Sequence, residues 1–130
     1  MTDDAAPYCA MVLLVEDDVD VREAVTDTLE DAGYRVIAAR HGQEALELLR
    51  NGGPRPCLIL LDLMMPVMDG WQFRDLQSKD PALADIPVVA LSAHGGLHAL
   101  GAADHLRKPV QLRALMDVVE RFCGNGTPQA

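Results

Sequence analysis

Along the chain, short runs of apolar residues alternate with stretches whose apolar positions recur every three or four residues. Met11–Val15 (MVLLV) is rich in branched side chains and is followed at once by acids, so it reads as a strand buried on both faces. From Val21 onward, Ala24, Val25, Thr28, Leu29 and Ala32 line one helical face, and Gly33 stands where a C-terminal cap belongs. Tyr34–Ala39 reads as a second strand. Gly42–Arg50 reads as a helix with Ala45, Leu48 and Leu49 inward. The Gly- and Pro-rich stretch Asn51–Pro56 breaks both element types. Cys57–Leu61 then predicts the third strand, Gly70–Gln77 a short helix, and Ile86–Leu91 the fourth strand, with Pro87 at its start where a missing N–H is tolerated. His98–Gly101 allows about one helical turn, Ala103–Leu106 a short fifth strand, and Val110–Phe122 a last helix with Leu112, Leu115, Met116, Val119 and Phe122 on one face.

Five apolar strands separated by helices predict an α/β fold: a parallel sheet covered on both faces, joined by right-handed crossovers. The expected organisation is an N-terminal extension over 1–10, one domain over 11–123 and a polar tail over 124–130. A chain of 130 residues suits one core. The formal net charge of −9 opposes contact with a duplex or an anionic membrane surface, so direct nucleic-acid binding is not expected. No apolar run approaches the roughly 20 residues of a membrane helix, and MTDDAAPYCA lacks the basic and apolar regions of a signal peptide. Cys9, Cys57 and Cys123 are odd in number and widely spaced, which predicts reduced thiols in a cytoplasmic protein, Cys57 packing as a small hydrophobe.

Open parallel sheets bind ligands at the carboxyl ends of their strands. There the chain places Glu16, Asp17 and Asp18 after the first strand, Asp62 after the third, Ser92 after the fourth, and Lys108–Pro109 after the fifth. Clustered carboxylates repel one another and call for a hard cation. A carboxylate oxygen left free beside such a cation can accept a phosphoryl group as an acyl phosphate. The charge on the transferred group is met by the cation, an ammonium and a hydroxyl, the last two being what Lys108 and Ser92 offer. Asp18 reads as a solvated acid, Gly70 as a residue needed for a positive φ, and Trp71 as loop packing. His41, His94, His98 and His105 lack metal spacing.

The four segments VLLVEDDVDVR, LLDLMMPVMDGW, VVALSA and HLRKP, in that order and each at a strand end, resemble the receiver domain of two-component response regulators over roughly residues 11–123. The resemblance implies a flavodoxin-like doubly wound sheet of strand order 2-1-3-4-5. It implies that Asp62 is the phosphoacceptor and that Mg²⁺ is held by Asp17, Asp62 and the backbone carbonyl of Met64, with Glu16 acting through water. Ser92 matches the switch hydroxyl, Ala93 the small residue that leaves the phosphoryl group room, Lys108 the phosphate-binding lysine, and Lys108–Pro109 a bond that is cis in the family. The implied partners are a histidine kinase or a histidine phosphotransfer protein, with output through protein contact.

Three features depart from the pattern. The stretch from Ser92 to Lys108 is about half a dozen residues short, roughly 9 Å of helix at about 1.5 Å per residue, so a shortened or missing fourth helix and an uncommon dimer mode are expected. His105 stands where the family places an aromatic that moves inward, and imidazole can charge near neutral pH. Met64 and His94 flank the acceptor. A thioether positions water poorly, which predicts slow loss of phosphate unless His94 compensates. The alternative is a phosphorylation-independent interaction module with this fold. A flavin-type phosphate loop is excluded by the EDD sequence, which would repel phosphate.

Overall fold

The computed structural model describes residues 11–51, 55–63, 68–92 and 104–124. The elements run β1 (Met11–Val15), α1 (Val19–Asp31), β2 (Arg35–Ala39), α2 (Gly42–Arg50), β3 (Leu58–Asp62), α3 (Gly70–Ser78), β4 (Val88–Ser92), β5 (Asp104–Arg107) and α4 (Leu112–Cys123). The strands form one parallel sheet in the order β2-β1-β3-β4-β5, the expected topology. The His98–Gly101 turn and the shortened fourth helix fall outside the described residues.

Alternation explains why the three inner strands β1, β3 and β4 are buried and apolar up to their ends, whereas the edge strand β5 (DHLR) buries Leu106 alone. Leu13, Val15, Ile59, Leu61, Val88 and Ala90 point to one face and pack with Ala45, Leu46 and Phe73 of α2 and α3. Val12, Leu14, Leu58, Leu60, Val89 and Leu91 point to the other and pack with Val25, Leu29, Leu115, Val118 and Val119 of α1 and α4. A strand that feeds two cores has no position for a polar residue until it reaches its end.

The differences from the sequence reading have local causes. In α2, Leu46 is buried and Leu48 is exposed; in α4, Val118 is buried and Leu112 is exposed. On these short helices the apolar stripe admits more than one orientation, and packing on the sheet selects it. Trp71 is the second residue of α3 and is exposed rather than packed in a loop. Gly33 has φ 98°, the left-handed conformation expected where a helix is terminated. Gln77 is fully buried at the end of α3 and donates to the carbonyls of Leu83 (2.9 Å) and Ile86 (3.0 Å), which holds the loop leading to β4.

The expectation of reduced thiols is overturned for two of the three cysteines. Cys57, just before β3, and Cys123, the last residue of α4, form a disulfide with a Cα–Cα distance of 5.5 Å. Cysteine spacing could not reveal it, because sheet topology alone joins positions 66 residues apart. The same corner carries a hydrogen bond of 2.6 Å from the buried Tyr34 hydroxyl to the Gly124 carbonyl.

Closing so long a loop is worth about 4 kcal/mol in the chain-entropy picture and about 2–4 kcal/mol in practice. Oxidised protein should therefore lose about 2–4 kcal/mol of unfolding free energy in urea on addition of a dithiol reductant. C57S should match the reduced protein and no longer respond to reductant. Equal urea midpoints with and without reductant would contradict the tether.

Candidate functional site

The buried strands end together, and four of them deliver polar groups to one edge. β1 runs directly into Glu16, whose N–H continues the sheet by donating to Ala39 O at 2.9 Å. Asp62 closes β3 beside Leu91, one residue before Ser92. Lys108 follows β5, and its N–H donates to Ser92 O at 2.9 Å. The Lys108–Pro109 peptide is cis. Glu16, Asp62 and Ser92 are all buried, the expected burial of polar residues that sit at the tips of core strands.

The side chains converge. Lys108 Nζ lies 2.9 Å from Glu16 Oε1 and 3.3 Å from Asp62 Oδ1. Carboxylate oxygens of Glu16, Asp17 and Asp62 lie within 4.8 Å of one another, Asp17 being the exposed member. The Lys108 ammonium thus meets two of the three clustered carboxylates, Glu16 and Asp62. Burial pushes the Asp62 carboxyl up to about 7, Glu16 adds charge repulsion and a hydrogen bond in the same direction, and Lys108 only partly opposes them. For Lys108, burial alone would lower the pKa, but hydrogen bonds and charge from Glu16 and Asp62 outweigh it and hold the ammonium above its usual range. Two buried carboxylates and one exposed one, with Lys108 beside the buried pair, form a donor set of the hard-oxygen kind that suits Mg²⁺.

The turn carrying the acids is tightly bonded. Asp18 N–H donates to Glu16 Oε2 at 3.1 Å. Asp18 itself, expected to be merely solvated, caps α1 by accepting from Asp20 N and Val21 N. Sequence reasoning also passed over Arg22. Its Nη1 donates to the carbonyls of Glu16 (2.9 Å) and Asp17 (3.3 Å). A base in the first turn of a helix, where the macrodipole disfavours it, was the available signal.

Gly70 serves a purpose other than the one expected. Its backbone is helical, and the positive φ values among the described glycines belong to Gly33 and Gly124. What Gly70 supplies is space: a Cβ there would stand 2.8 Å from Leu63 Cα and 3.0 Å from Asp62 O. His105 is exposed on β5, paired across from Ala90, with Nδ1 4.0 Å from Asp104 Oδ1. Met64, Ala93 and His94 lie outside the described residues.

This constellation at the carboxyl edge of a 2-1-3-4-5 sheet agrees with the comparisons to known proteins. The family described as response regulator receiver domain matches residues 12–120, and the chain belongs to that family. It is 40% identical over 119 residues to the response regulator protein FleR of Pseudomonas aeruginosa, covering 86% of this chain and 24% of that protein. It is 32% identical over 124 residues to the protein Rrf1 of Nitratidesulfovibrio vulgaris, covering 92% of this chain and 88% of Rrf1. The chain spans between about a quarter and a half of the length of several curated relatives, 24% of FleR and 46% of the MprA regulators of Mycobacterium. Among solved structures, the chemotaxis protein CheY4 of Vibrio cholerae superposes with a TM-score of 0.80 at 32% identity, over 87% of this chain and 98% of CheY4. A sensor-kinase receiver domain from P. aeruginosa, solved with a magnesium ion coordinated in its active-site cleft, gives a TM-score of 0.80 at 27% identity, over 88% of this chain and 98% of that one.

Two outcomes are expected. G70A should cost about 1–3 kcal/mol, the range for overpacking, because the colliding atoms include backbone. Urea unfolding measures this, and wild-type stability would show that the Asp62–Leu63 backbone yields freely. The second concerns pH. The folded-state pKa of Asp62 lies above its unfolded value, so folding takes up a proton between about pH 4 and pH 7. Its favourable contribution is complete at low pH and is lost as pH rises through about 7. In EDTA, D62N should exceed wild type by about 2 kcal/mol at pH 8, after allowance for screening, with the advantage vanishing near pH 4. A difference that does not change with pH would contradict the raised pKa.

Proposed function

We propose that the chain is a phosphoacceptor in a two-component or phosphorelay pathway, taking a phosphoryl group on Asp62 from a phosphohistidine. The observation that carries this reading is the Lys108 ammonium lying within 3.3 Å of the buried Asp62 carboxylate and within 2.9 Å of Glu16. The Asp62 oxygen attacks phosphorus, the phosphorus–nitrogen bond to the donor imidazole breaks with its electron pair leaving on nitrogen, and an aspartyl phosphate forms. Lys108 supplies positive charge to the oxygens of the transferred group. Ser92, buried beside the acceptor strand, offers a hydroxyl to the same oxygens, and Ala93 leaves them room.

Asp17, Asp62 and the Met64 carbonyl, with Glu16 through water, would hold Mg²⁺. When bound, the ion supplies charge neutralisation for the phosphoryl oxygens. The donor class is a histidine kinase or a histidine phosphotransfer protein, and the phosphorylated form acts through protein contact, with Ser92 and His105 as the relay. The location proposed is the cytoplasm, where these donors work. The acidic surface argues against nucleic acid as a partner. No described helix is long and apolar enough to cross a membrane.

Incubation with Mg²⁺ and a small phosphodonor, followed by intact mass spectrometry, tests the reading. Wild type should gain one alkali-labile phosphate and D62A none. A wild-type mass that stays unchanged, with a kinase-derived donor as well, would favour the phosphorylation-independent module.

A further inference from the structure

We propose that Arg22 is a positioning residue for the carboxylates that hold the cation. The inference rests on the cation-site reading of Glu16, Asp17 and Asp62. A single guanidinium nitrogen of Arg22 bridges two successive backbone carbonyls, those of Glu16 and Asp17. These residues contribute two of the three clustered carboxylates. The turn is pinned at its start by Glu16 N–H on Ala39 O, and at its end by Asp18, which caps α1 and donates its N–H to Glu16 Oε2. Between those pins, Arg22 fixes the peptide planes that set where the Glu16 and Asp17 side chains leave the backbone.

The location argues for a dedicated role. Arg22 is the fourth residue of α1 and the sole base in that helix, whose first turn otherwise carries Asp20. A cation there sits against the positive end of the helix dipole, a small cost that the two carbonyl contacts offset. Arginine suits the task because its planar head presents two hydrogens from one nitrogen in fixed directions, whereas a lysine ammonium rotates freely on its stem.

Charge and positioning predict opposite signs. As a nearby positive charge, Arg22 repels an incoming dication, so removing it by charge alone would tighten Mg²⁺ binding. If Arg22 positions the ligands, removing it weakens binding, by roughly tenfold, as for other groups that orient metal ligands. Calorimetric titration of the full 130-residue chain with Mg²⁺ at fixed ionic strength separates the two. R22Q should bind roughly tenfold more weakly, unfold in EDTA at a temperature near that of wild type, and reach wild-type phosphorylation at saturating Mg²⁺. Unchanged or tighter Mg²⁺ binding in R22Q overturns the proposal. Should R22Q not fold, R22K takes its place: it keeps the charge, so weaker binding supports positioning and unchanged binding rejects it. Wild type that binds no Mg²⁺ removes the cation-site reading itself, whereas wild-type binding matched by R22Q removes only the role of Arg22.

Discussion

Three carboxylates are brought together at the end of a buried sheet, with the Lys108 ammonium against two of them, and the proposed function turns on that imbalance. In water their repulsion would be slight. At the tips of β1 and β3, with Glu16 and Asp62 out of solvent, burial lifts the Asp62 carboxyl to about 7, and repulsion from Glu16 adds to the rise. Lys108 balances only part of it. The residual negative charge makes the edge receptive to a hard cation, and the burial keeps bulk water from screening the charges that the proposed phosphoryl transfer would use.

The rest of the fold serves to hold that imbalance in place. Parallel strands feeding two cores can end in charged groups without exposing apolar surface, because β1, β3 and β4 are buried along their length. The Arg22 bridge, the Asp18 cap and the small volume of Gly70 then set the backbone around the acids. These are local, polar and geometric restraints, and they lie at the opposite end of the sheet from the Cys57–Cys123 bond and the Tyr34–Gly124 contact. The covalent tether therefore stands away from the carboxylate cluster.

The strands and the acids at their ends were legible in the sequence because burial on both faces leaves a continuous apolar signature that stops abruptly. Asp17, Asp62, Ser92 and Lys108 stood out for that reason, and the order of their segments carried the family resemblance. Helix facing was less legible: Leu46 and Leu48 differ in exposure although both fit an apolar stripe, since the tilt of α2 on the sheet is a tertiary property. The disulfide, the Arg22 bridge and the steric demand at Gly70 were hidden because each depends on a distance between backbone segments, which no spacing along the chain encodes.

The order of the strands has a further consequence. Asp62 stands on β3, the middle strand, with a hydrogen-bonded neighbour on each side and a core on each face. Lys108 follows β5, which among the described residues pairs with β4 alone and closes the sheet at one margin. In amide exchange, Asp62 is expected to belong to the part of the molecule that opens only on global unfolding, and Lys108 to a margin able to fray by itself. Asp62 is thus the fixed point of the domain. A change of charge on it would be felt first as a change in how the margin is held.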